Sequence, residues 1–258
     1  MERPLAGARV LDLTRVLAGP VATRFLAMLG AEVLRIDPPD WDEPGVVPDV
    51  LLGKRTARSD LRDSTNRERF LELLASADVL VHGYRPGALD HLGLGPEVRL
   101  AARPGLIEVA LDAYGWTGPW AGRRGFDSLV QMSTGIADAG MRGLGRDKPT
   151  PLPVQALDHA TGYLMAFAAL RALRERRVTG RRARAELSLA RTAALLTGRG
   201  TSDVMEEIRP EDDADSAPEI EHTSWGRARR LKPPLAMGGV ELRADRPARA
   251  LGSDSFQW

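Results

Sequence analysis

The sequence contains no cysteine. Disulfides, thiolate metal sites and cysteine nucleophiles are therefore excluded, while the compartment is left open. Neither sign of charge dominates: the formal net charge is +1, so no global field gathers polyanions. No apolar run approaches the roughly 18 residues of a membrane span, and the opening "MERPLAGARVLDL" offers no apolar stretch of signal-peptide length. These features predict a cytoplasmic protein with no membrane partner. Nucleic-acid binding needs a basic surface with aromatic interleaving or a known motif, and neither is present. Internal repeats and heptads are also missing. The four histidines, His82, His91, His159 and His222, lack metal-ligand spacing, so no metal is expected.

What is present is a globular composition, 43% hydrophobic and 28% charged over 258 residues, enough for a core without staples. The charge is patterned. "RALRERRVTGRRARAEL" is rich in arginine and reads as a solvated helix end, where cations suit the C-terminal dipole. "DVMEEIRPEDDADSAPEIE" is strongly acidic.

Along the chain, "ARVLDLT", "AEVLRID", "DVLVHGY" and "LIEVALDAYG" read as strands. "GPVATRFLAMLG" has helical spacing and stops at a glycine. "STNRERFLELLASA" reads as an amphipathic helix with a Ser/Thr start. "DSLVQMSTGI" and "HATGYLMAFAALRALRERR" read as helices, and "ARAELSLARTAALL" as strand then helix. This alternation predicts an α/β fold, a doubly wound, Rossmann-like, mostly parallel sheet with helices on both faces. From about residue 198 the chain turns polar, and "WGRARRLKPPLAMGGVELRADRPARALGSDSFQW" reads as extended chain lying against something else.

Ligands of doubly wound sheets sit beyond the carboxyl ends of the strands. The first turn, in "LDLTRVLAGPVATRFL", lacks the GxGxxG fingerprint, which disfavours a dinucleotide. Strand ends do carry cations: Arg35 in "AEVLRID", Arg85 after "VLVHGY", and Lys54, Arg55, Arg58 and Arg62 in "LGKRTARSDLRD". Cations grouped at the mouth of a sheet suit a phosphorylated ligand. Asp158, in "QALDHATGY", stands where a strongly apolar helix begins. It can be read as a helix cap or as a nucleophile. The residue pattern alone favours the cap, because aspartate is common at helix starts and catalytic carboxylates are rare.

Taken together, "LAGARVLDLTRVLAGPVATRFLAMLGAEVLRID", "GKRTARSDLRD", "ADVLVHGYRPGALDHLGLG" and "QALDHATGYLMAFAALRALRERRVTGRRARAELSLA" resemble the family III CoA-transferases, relatives of the α-methylacyl-CoA racemases. The resemblance runs from about residue 4 to 198. It implies the large domain of that fold and an enzyme moving CoA between an acyl-CoA and a carboxylic acid. CoA is then a substrate, with no cofactor bound permanently.

By position, Asp158 is similar to the family's nucleophilic aspartate, and the helix dipole is expected to help keep it ionised. The implied CoA site takes in Arg15, Val16, Leu17 and Ala18, then Arg35, Leu61 and Arg62, then Gly83, Tyr84 and Arg85. Arg124 and Asp127 fall on the substrate side. The racemase branch uses a histidine where this chain has Phe126, which cannot exchange a proton; transferase chemistry is therefore favoured over an isomerase.

The resemblance also implies domains: a CoA-binding α/β domain at 1–198, an acidic linker at 199–221 in place of the family's small domain, and a C-terminal segment at 222–258 returning to the large domain. Implied partners are an acyl-CoA, a carboxylic acid and either a second copy or a complementary subunit. The alternative function is a CoA-binding subunit that is inactive or depends on a partner.

Overall fold

The computed structural model describes residues 3–198, 200 and 209–258. Six parallel strands form the main sheet: β1 (Arg9–Leu13), β2 (Glu32–Asp37), β3 (Arg55–Arg58), β4 (Val79–His82), β5 (Ile107–Asp112) and β6 (Arg184–Ser188). The helices between them are α1 (Ala18–Met28), α2 (Val47–Val50), α3 (Ser64–Ala75), α4 (Ala88–His91), α5 (Pro96–Ala102), α6 (Asp127–Ser133), α7 (Ile136–Gly143), α8 (Ala156–Thr179) and α9 (Leu189–Thr197). A separate antiparallel hairpin pairs β7 (Ser216–Thr223) with β8 (Gly226–Leu231). Among the described residues no helix is long and apolar enough to cross a membrane.

Strand order is β3-β2-β1-β4-β5-β6. The order reverses between β1 and β4, which opens a crevice at the carboxyl ends of those two strands. The two-residue period of the strands splits the core. Val10, Val33, Val79, Val81, Ile107 and Val109 face α1 and α8. Leu11, Leu34, Ile36 and Leu80 face α3, against Phe70, Leu73 and Leu74. Helices thus cover both faces, as the alternation predicts.

Two helices cross closely on the first face. A Cβ on Gly162 of α8 would lie 2.6 Å from the Ala18 carbonyl oxygen and 2.9 Å from Val21 Cβ. Only glycine lets α8 settle this near the start of α1. Asp158 lies one helical turn before that contact, so the same crossing brings it toward the first turn of α1.

Strand β3 is a departure from the sequence reading. "RTAR" has no apolar alternation, yet it hydrogen-bonds along β2 as the edge of the sheet. The chain end covers that edge: the Thr56 amide donates to Asp254 Oδ2 at 3.0 Å, and the Asp254 amide donates to the Thr56 carbonyl at 2.9 Å. Trp258 Nε1 donates to the Leu73 carbonyl at 3.1 Å. A covered edge has no free ladder for another chain.

The boundary expected between residues 221 and 222 falls inside β7. Of the expected acidic linker, residues 199 and 201–208 lie outside the described residues, and the rest is partly hairpin. Four acidic residues of "EDDADSAPEIE" have arginine partners, Asp212 and Asp215 with Arg209, Asp213 with Arg229 and Glu221 with Arg230. The hairpin is tied to the body through Arg230, which donates to the Pro48 carbonyl at 2.6 Å.

Candidate active site

A cavity of about 500 Å³ opens at the crevice. The turn after β1 supplies Arg15, Val16, Leu17 and Ala18; the end of β4 supplies Gly83, Tyr84 and Arg85. The β5–α6 connection adds Arg123, Arg124 and Phe126, and α8 adds Asp158. A second cavity, about 300 Å³, shares Arg15, Trp41 and Tyr84 with the first and carries Leu61 and Arg62. A third, about 370 Å³, shares Val16, Phe126 and Asp158 and carries Asp127. The shared walls line the three up as one trough, with Asp158 at the junction of the first and third.

Several details hold this trough in shape. Arg15 lies over Trp41 and Tyr84, 4.9 and 5.3 Å from the ring centroids, and donates to the Tyr84 hydroxyl at 3.0 Å. Cation–π contact fixes its guanidinium between the first two cavities. Val16 has φ 66°, a left-handed conformation rare for a β-branched residue. Its amide donates to Glu43 Oε2 at 2.9 Å, and Glu43 is itself ion-paired with Arg35. Strain of this kind persists where neighbours over-determine it.

Arg35 therefore has a different place from the one expected. It is fully buried, gripping Asp37 through Nε and Nη2 at 2.8 and 3.0 Å, and lines none of the three cavities. It braces the turn around Val16 from behind instead of facing a phosphate. Three more of the cations grouped from the sequence are also engaged elsewhere. Lys54 is buried on Asp12 at 2.9 Å, Arg55 pairs with Glu32, and Arg58 donates to the carbonyls of Pro39 and Trp41. Of that group Arg85 and Arg62 line cavities, the latter with an exposed side chain paired to Asp60. His91 lines none of the three cavities.

Asp158 is 6% exposed. Its carboxylate accepts no hydrogen bond from any described residue, and the cap of α8 is Gln155. The capping role goes to a neighbour: Asp127 Oδ2 accepts from the Asp158 amide at 2.9 Å, while Asp127 Oδ1 accepts from Gln131 Nε2 at 2.5 Å. Asp158 is thus held by its backbone, leaving its side chain free. Burial, helped by the negative Asp127, pushes its pKa up from 3.8 to about 7. The helix dipole was expected to help keep it ionised; burial and Asp127 act in the opposite direction. A buried carboxyl with no partner is costly unless it has a task.

Leu17, the N-cap of α1, makes no side-chain cap bond, and the first turn holds no acidic residue. The amides of Ala18 and Gly19 have no intrahelical acceptor, and Ala18 lines the cavity beside Asp158. The site therefore combines a free carboxyl, unsatisfied helix amides and a long trough edged by arginines. Among the described residues no three of His, Asp and Glu gather as metal ligands.

The family model described as CoA-transferase family III matches residues 5–225. The chain belongs to CoA-transferase family III. Among its relatives is a probable fatty acyl-CoA transferase of Mycobacterium tuberculosis, 35% identical over 192 residues, covering 69% of this chain and 48% of the relative. The succinyl-CoA:glutarate CoA-transferase of Mus musculus is 34% identical over 192 residues, covering 69% and 44%. A crystal structure of the mycobacterial protein superposes with a TM-score of 0.70 at 33% identity, over 76% of this chain and 57% of that one. The chain spans about half the length of these curated relatives.

Trp41 lines the first two cavities and Glu43 braces the turn at Val16, although neither is among the residues expected from the sequence. Both lie in "PPDWDEPG", which reads only as the loop closing a strand. A tryptophan beyond the carboxyl end of a strand in such a sheet is the signal that was available.

Proposed function

We propose that this chain is a family III transferase that moves CoA between an acyl-CoA and a carboxylic acid, with Asp158 as nucleophile. The observation that carries this reading is the free, buried Asp158 carboxyl at the junction of the trough, beside the open amides of α1. CoA lies along the trough, its phosphates toward Arg15, Arg62 and Arg85 and its thioester at Asp158.

An oxygen of the Asp158 carboxylate attacks the thioester carbonyl carbon. The carbon–sulfur bond breaks, and CoA leaves as thiolate from a mixed anhydride. The thiolate then attacks the Asp158 acyl carbon; a new carbon–sulfur bond forms as the anhydride carbon–oxygen bond breaks, and the first acid departs as carboxylate. The second acid repeats the two steps in reverse and frees Asp158. Each attack builds negative charge on a carbonyl oxygen, and on this reading the first-turn amide of α1 at Ala18, which lines the same cavity as Asp158, would receive it. Burial also lowers the hydration of the attacking carboxylate. Phe126 stands at the same junction and has no proton to exchange, which argues against an isomerase.

A second reading has an observation of its own. Phe126, Leu152 and Val154 stay exposed around the third cavity, as on a CoA-binding chain that acts with a second copy or a complementary subunit.

Intact-protein mass spectrometry after incubation with acyl-CoAs and hydroxylamine decides between the two. Modification at Asp158 in wild type, absent in Asp158→Ala with CoA binding kept, supports the transferase. CoA binding without any adduct supports the partner-dependent reading.

A further inference from the structure

The third cavity differs in chemistry from the other two. Its wall is apolar at Val16, Phe126, Pro151, Leu152, Pro153 and Val154. Ser128, Gln131 and Gln155 add neutral polarity, and Gln131 is already occupied by the Asp127 carboxylate and the Val154 carbonyl. The charged groups on this wall are two acids, Asp127 and Asp158, and among the described residues no arginine, lysine or histidine lines it. Arg123 and Arg124 line the central cavity and not this one, and Arg123 stacks on Trp120 at 4.7 Å. The trough thus runs from a cationic end at Arg62 and Arg15 to an acidic and apolar end beyond Asp158.

We infer that the third cavity receives the acyl chain and selects uncharged, apolar acyl groups against those ending in a second carboxylate. This inference rests on the transferase reading for the direction in which CoA lies. With the thioester at Asp158, the acyl chain extends away from the pantetheine, into the cavity on the far side of that residue. About 370 Å³ is near the small end of ligand cavities, about 300–1,000 Å³, and suits a short or medium chain. A methylene chain gains by leaving water for Val16, Leu152 and Val154. A terminal carboxylate there would lose hydration, find no cation and face Asp127. Repulsion and an unpaired charge together reject it, which is stronger discrimination than an apolar pocket achieves by fit alone.

The test uses thioethers, which bind without reacting: S-hexyl-CoA, S-(5-carboxypentyl)-CoA and CoA itself, titrated calorimetrically into the whole chain at pH 8. S-hexyl-CoA is expected to bind at least tenfold more tightly than the carboxylated compound, and the carboxylated compound no more tightly than CoA. Val154→Arg, which adds a cation to the wall at an exposed position, is expected to cut the preference at least tenfold. Equal or tighter binding of the carboxylated compound overturns the inference, as does an unchanged preference in Val154→Arg. Hydroxylamine trapping with hexanoyl-CoA is run in parallel. An apolar preference without an adduct sinks the transferase reading and leaves the cavity's selectivity standing. An adduct without a preference does the reverse, and failure of all three compounds to bind sinks both.

Discussion

Asp12 and Asp158 are buried carboxylates that both border α1, 0% and 6% exposed, and their surroundings could hardly differ more. Asp12 sits at the end of β1, where an apolar residue would face α1. It accepts from Lys54 Nζ at 2.9 Å, from the Thr14 amide at 2.9 Å and from the hydroxyls of Thr14 and Thr23 at 2.5 Å each. Burial raises its pKa, but Lys54, Arg35 and the two hydroxyls outweigh burial, and the net shift is downward. Lys54 is brought down to about 8 by burial, against the pull of Asp12, and stays protonated at neutral pH. Asp158 has the burial without the partners, and its pKa goes up to about 7. Burial alone does not mark a reactive carboxylate. The distinguishing feature is burial with the side chain left unsatisfied.

Removing each acid should therefore have opposite consequences. Asp12→Ala leaves the Lys54 ammonium buried without its counter-ion and should cost about 3–5 kcal/mol of stability, the range for breaking a buried pair from one side. Urea denaturation at pH 7 measures it, and a loss under about 1 kcal/mol would end the contrast. Asp158→Asn should stabilise the fold instead. The native Asp158 carboxyl binds its proton up to about pH 7, whereas the unfolded one releases it near 3.8. Its presence thus becomes a growing burden as pH rises through that window, reaching roughly 4 kcal/mol above pH 7. The gain from the amide should be largest at pH 8 and shrink toward pH 4, as read from melting curves across pH.

The same titration should appear in the chemistry. Attack on the thioester needs the ionised form, so the rate of adduct formation should rise nearly tenfold per unit below about pH 7 and level off above it. A flat profile in stopped-flow mass spectrometry between pH 5 and 8 would remove Asp158's titration from the rate. The smallest effect is expected at the rim. Arg62→Ala should weaken CoA binding by less than about tenfold and leave the melting temperature unchanged, because its exposed charge is screened by solvent. Arg15→Ala should weaken binding more than Arg62→Ala, since Arg15 is held between two rings.

The sequence carried the scaffold well wherever the apolar period was regular. Strands such as "RVLDL" and "EVLRID" show alternation, and the helix that follows β1 stops at Gly30. "RTAR" was invisible as β3 because its pairing depends on a neighbour and its covering on residues near 254, neither of which leaves a local trace. For the site, the turn after β1 and the "HGYR" segment were legible through their position at strand ends. Arg35 was not: an arginine at a strand end reads the same whether it faces solvent, ligand or a buried Asp37–Glu43 pair. The freedom of the Asp158 side chain also depends on Asp127, 31 residues away, taking over its amide.

Gly162 gives the site its tolerance. The approach of Asp158 to the start of α1 is set by the Gly162 backbone packed on the Ala18 carbonyl and the stiff, β-branched Val21 side chain, with no long side chain between them to soften or correct it. A single methyl group at 162 would wedge the helices apart by a fraction of an ångström and carry Asp158 with it. On the transferase reading a displacement of about 1 Å would cost about 100-fold in rate, so the accuracy of the site would be held by an atom that is not there.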